Sequence, residues 1–144
     1  MEEDIRWQQR FSNFNKAFSK LSQAVTQAKE KKLSELETEG LIQRFEYTYV
    51  LAWKTLQDYI KDLGIPDVNG PSKVLQEALK MELISDSEGW VKLKKSREKT
   101  SHTYDPETAE EIKELILDQF FQLFVELQAK LESERSGNQG LLGI

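Results

Sequence analysis

The sequence predicts an all-α fold, an antiparallel up-and-down bundle of four to five helices. Three observations carry that reading. Apolar residues recur at alternating spacings of three and four through the long stretches, no stretch sustains the alternation of a strand, and the breaks between stretches are made of helix caps and turn residues.

The first helix spans about Glu3 to Lys29, where Trp7, Phe11, Phe14, Phe18, Leu21, Val25 and Ala28 form one stripe and Gln8, Asn13, Lys16 and Lys20 the solvated face. Ser34 and Glu37 have the spacing of a capping box and start the second helix. Leu41, Phe45, Tyr49, Trp53, Leu56, Ile60 and Leu63 keep the period, and Gly64 ends it as a left-handed residue. So short a turn makes the two long helices antiparallel. Pro71, after Asn69-Gly70, suits the first position of a short third helix carrying Val74, Leu75, Ala78 and Leu79. Ser85 to Gly89 marks a turn, and Trp90, Val91 and Leu93 begin a further helical piece of modest periodicity.

Asp105-Pro106-Glu107 combines an aspartate cap, a first-position proline and acidic residues at the positive end of the dipole. The helix it opens carries Ile112, Leu115, Ile116, Phe120, Leu123, Phe124, Leu127 and Leu131 and ends near Arg135. Phe121 and Val125 widen that stripe, which fits either a second subunit or a broad core contact. Residues 1–136 therefore read as one domain and 137–144 as a flexible tail.

The formal charge is −5, from 25 acidic and 20 basic side chains, so the average field repels nucleic acid and any RNA contact needs a local patch. There is no cysteine, which excludes disulfides and thiolate metal sites. No run approaches the roughly 18 apolar residues of a membrane span. The expected location is the cytoplasm, without membrane association, and no motif calls for a metal or other cofactor.

The chemistry concentrates at Arg97 to Asp105, which holds the single histidine of the chain, His102, between Arg97 and Tyr104. Arginine offers a permanent charge and a planar fork of donors for phosphate oxygens, and histidine exchanges protons near neutral pH. Metal-free RNA cleavage needs a base for the ribose 2′-OH, an acid for the leaving oxygen and a cation for the developing charge. One histidine cannot be base and acid at once, so a mechanism of paired histidines implies a homodimer. Lys92, Lys94, Lys95, Arg97 and Lys99 lie within eight positions opposed only by Glu98. That local reversal of charge adds Lys94, Lys95 and Lys99 as candidate phosphate contacts, against the plain alternative of a solvated helix face. On the second helix, the polar residues Arg44, Glu46 and Asp58 are candidates for the border of the cleft.

These residues also carry a resemblance. Arg97, His102 and Tyr104 fill a motif of arginine, four residues, histidine, any residue and tyrosine. The string SHTYD at Ser101 to Asp105, the run from Glu39 to Gly64, PSKVLQEAL from Pro71, Glu82-Leu83-Ile84 and the segment Trp7 to Phe11 extend the match through most of the chain. The sequence resembles the nucleotidyltransferase substrate-binding proteins, a branch of the HEPN helical domains. One position departs: the residue after the arginine is commonly asparagine in this branch and is Glu98 here. The resemblance implies a dimer whose two motifs meet at a cleft, a separate minimal nucleotidyltransferase as partner, and a module of toxin and antitoxin type. It further implies either a metal-independent ribonuclease silenced by adenylylation at Tyr104, or a non-catalytic subunit that presents a nucleotide or other substrate to the transferase.

Overall fold

The computed structural model describes residues 2–142, with side chains from 6 to 137. Two long helices, α1 (Glu2–Glu30) and α2 (Glu35–Asp62), are followed by α3 (Pro71–Lys80) and α4 (Ser87–Glu98). A 3₁₀ turn, Lys99–His102, then leads to α5 (Pro106–Leu115), a π-helical turn (Ile116–Phe120) and α6 (Phe121–Leu142), which continue as one rod. No strand occurs among the described residues. The rod runs on to Leu142 instead of ending near Arg135, and the side chains of the expected tail beyond Gly137 lie outside the described residues.

Contacts at both ends fix α1 and α2 as antiparallel: Trp7 meets Tyr59 edge-on at 4.9 Å, while Gln27 donates to Glu37 at 3.0 Å. The rod lies antiparallel to α1, since Phe18 packs on Phe121 and Arg135 sits over Phe11. It lies parallel to α2, since Phe45 stacks on Phe120 and Tyr59 donates to Glu134. Phe124 stands where these helices meet and touches Phe14, Phe18, Phe45 and Trp90.

The local signals act as the sequence requires. The Ser34 hydroxyl accepts the Glu37 amide at 3.1 Å, and the Glu37 carboxylate accepts the Ser34 amide at 2.9 Å. Gly64 has φ 98, beyond the C-cap Leu63. At the end of α3 the left-handed position is taken by Glu82 (φ 58), and the Leu83 amide reaches back to the Ala78 carbonyl at 2.9 Å. That is a Schellman cap without the glycine that usually announces it.

The π turn has a cause in the sequence. Ile112, Ile116, Phe120 and Phe124 succeed one another at intervals of four, and all are buried. On a regular α-helix each such interval overshoots a full turn by about 40°. One wider turn absorbs the excess and keeps the four side chains facing inward. Phe121 and Val125 of the broad stripe are partly buried and pack against the same core cluster.

Candidate functional site

Asp86 caps α4 by accepting the Gly89 amide at 2.9 Å, and Trp90 and Leu93 anchor the helix in the core. Arg97 falls in its last turn. The buried Thr100 closes that end: its hydroxyl donates to the Arg97 carbonyl at 2.7 Å and lies 3.5 Å from Arg97 Nη1. The chain then exposes His102 and Tyr104 before Asp105 accepts the Thr108 amide at 3.3 Å and its hydroxyl at 2.8 Å. Arg97, His102 and Tyr104 thus belong to one corner between α4 and α5.

At that corner His102 Nδ1 lies 3.4 Å from the Tyr104 hydroxyl, with the rings edge-on at 5.9 Å and 68°. Tyr104 is 78% exposed. Arg97 is half-buried and lines an open groove of about 320 Å³ with Gln43, Glu46, Tyr47, Val50 and Leu51 of α2. Tyr104 borders a second hollow, of about 200 Å³, with Lys32, Leu33, Thr38 and Glu39. Glu35, Glu39, Gln43, Glu46 and Val50 succeed one another at spacings of four and three, so both hollows lie along one face of α2.

The expected phosphate contacts divide. Lys95 and Lys99 are exposed at the corner, whereas Lys94 pairs with Glu98 at 3.3 Å. Glu46 borders the groove that Arg97 lines. Arg44 does not join them, because its Nη1 donates to the Lys20 carbonyl of α1 at 2.8 Å, on the other side of α2. Two positions apart on a helix, Arg44 and Glu46 cannot face the same cleft. Asp58 likewise is committed elsewhere, to Arg10 at 3.0 Å.

Sequence reasoning treated Tyr49 as a core residue, and it is buried, yet its hydroxyl has no hydrogen-bond partner. Burial pushes this phenol up to about 12; the Arg97 charge acts in the opposite direction, and Glu98 adds to the rise. The available signal was a polar handle inside an otherwise apolar stripe, which normally finds a partner.

A family model described as nucleotidyltransferase substrate binding protein like matches residues 9–133. The chain belongs to this nucleotidyltransferase substrate-binding family. The matched segment includes the whole Arg97 to Tyr104 corner. The family member is similar to "Probable ribonuclease HepT" of Haemophilus influenzae, at 31% identity over 135 residues, 85% of this chain and 90% of that protein. A solved Haemophilus influenzae structure, described as revealing the fold of a substrate binding domain of a nucleotidyltransferase, matches with a TM-score of 0.77 and 29% identity. That likeness covers 85% of this chain and 98% of the other. No helix among the described residues is long and apolar enough to cross a membrane.

Proposed function

We propose that this chain is the HEPN-type subunit of a two-component nucleotidyltransferase and toxin-antitoxin module, a metal-independent endoribonuclease whose site is completed by a second copy. The observation that carries the reading is the exposed His102 and Tyr104 pair, 3.4 Å apart, on the same corner as Arg97. Family membership and the ribonuclease name of the Haemophilus influenzae relative add to it.

The chemistry follows from the donors. With Nδ1 occupied by the Tyr104 hydroxyl, His102 offers Nε2 for proton exchange with a ligand. One His102 takes the ribose 2′-OH proton as that oxygen attacks phosphorus, and the His102 of the second copy protonates the departing 5′ oxygen. The P–O5′ bond breaks, leaving a 2′,3′-cyclic phosphate and a 5′ hydroxyl. Arg97 holds the non-bridging oxygens as charge develops.

Adenylylation switches the site off at the same atoms. The Tyr104 oxygen attacks the α-phosphorus of ATP, pyrophosphate leaves, and the phenol proton passes to a base of the transferase. The ester has no O–H to offer His102, and its phosphate brings bulk and negative charge beside the imidazole. The exposure of Tyr104 suits it to this role.

The test is cleavage of several RNAs by the unmodified, untagged protein without added metal. His102→Ala is expected to reduce the rate by about 10²–10⁴-fold with fold and dimer intact. Intact RNA throughout would overturn the reading.

The second reading is a non-catalytic subunit presenting a substrate to the transferase. The Lys94–Glu98 pair favours it, because Glu98 follows Arg97 directly and neutralises part of the basic run. A stable complex that alters the transferase's substrate binding, together with intact RNA, distinguishes it; absence of association with that enzyme would remove it.

A further inference from the structure

Two buried side-chain polar atoms lack a hydrogen-bond partner among the described residues, the Tyr49 hydroxyl and Arg97 Nε. A buried polar group without a partner costs free energy, so two at unrelated places would need two explanations. These two share one place. The Arg97 charge is felt at the Tyr49 phenol, and Val50, next to Tyr49 on α2, lines the Arg97 groove. They are also complementary, since Nε–H can only donate and a phenol oxygen accepts.

We infer that Tyr49 is the positioning residue of Arg97, its phenol oxygen accepting the Nε–H bond and so aiming the rest of the guanidinium into the groove. This rests on the reading of Arg97 as the phosphate-binding group. The other contact of the guanidinium is weak, Nη1 to Thr100 at 3.5 Å, and leaves the fork free to turn. A single bond between Nε–H and the Tyr49 oxygen would satisfy both atoms at once. Held by Nε, the fork presents Nη1 and Nη2 as two parallel donors, the edge that grips a phosphate through two oxygens. Tyr49 touches no substrate itself. It is 3% exposed and is not among the side chains that line the groove.

Tyr49→Phe keeps the ring and removes the acceptor. The first measurement is the Arg97 Nε–H signal in the nitrogen-15 spectrum of the ligand-free protein, identified by its loss in Arg97→Ala. In the wild type it exchanges slowly with water; in Tyr49→Phe it shifts and exchanges about tenfold faster, as expected for loss of one hydrogen bond to a charged group. Unchanged shift and exchange would overturn the inference.

The second measurement is the affinity for a 2′-O-methyl oligoribonucleotide, which cannot be cleaved through its 2′ oxygen. Tyr49→Phe weakens binding about tenfold in the wild type and has no further effect in Arg97→Ala, because the phenol acts only through that arginine. Equal losses in both backgrounds would overturn it. If the wild-type protein binds no oligonucleotide, the ribonuclease reading fails, and the Arg97 signal alone decides whether Tyr49 holds the arginine.

Discussion

Around Phe124, four aromatic rings from α1, α2 and α4 close on one side chain that is itself fully buried. Around Tyr104 the ring stands in solvent beside an exposed imidazole, and Arg97 behind it keeps a buried nitrogen unbonded. Both regions are aromatic, and they lie on the same final stretch of chain. The difference is what each aromatic group is asked to do. Phe124 gains by excluding water, and every neighbour helps it. The corner instead holds His102 and Tyr104 at the surface, within reach of a ligand or partner.

Phe124→Ala tests this contrast most severely. Removing the hub is expected to cost about 3–5 kcal/mol in denaturant unfolding, whereas His102→Ala should stay within about 0.5 kcal/mol. Similar losses for the two would erase the distinction between seam and corner. Next in size is Ser34→Ala, which removes half of the capping box at the start of α2 and should cost about 1 kcal/mol.

A finer comparison uses the two buried phenols, both pushed up to about 12. For Tyr59 the causes are burial and then its hydrogen bond to Glu134, whereas Tyr49 is raised by burial against the pull of Arg97. In the unfolded chain a phenol ionises near pH 10. Between there and about 12 the unfolded state binds fewer protons than the folded state, so stability must fall as pH rises. Tyr59→Phe should flatten that fall, as read from unfolding midpoints across the alkaline range. The smallest effect is reserved for Lys99→Gln. It should leave stability unchanged but reduce the salt dependence of oligoribonucleotide binding by a slope of about 0.7, one phosphate contact on a single strand.

The bundle was largely legible because each helix announces itself locally. Ser34 and Glu37, Gly64, Pro71 and Asp105 all act within a few residues of their position, and their geometry follows the expected capping chemistry. The π turn was hidden because intervals of four are individually compatible with an α-helix; only three in succession accumulate the error that one wider turn removes. Glu82 hid the end of α3 because it stands where glycine is the usual signal.

At the site, Arg97, His102 and Tyr104 were visible as a spacing, and their common corner follows from the Asp86 and Asp105 caps. Arg44 was misplaced although helical geometry already separates it from Glu46. The role of Tyr49 could not be read from its stripe, because periodicity reports which face a residue occupies and says nothing about whether its hydroxyl is satisfied.

The exposed histidine has one more consequence, for measurement. It is the only imidazole in the chain, so its proton signals need no residue assignment and report the corner alone. Its neighbour Tyr104 makes it a built-in sensor of modification, since any group attached to that phenol oxygen replaces the hydrogen it shares with Nδ1. In a symmetric pair of chains the signal stays single, and a transferase bound to only one chain would split it in two.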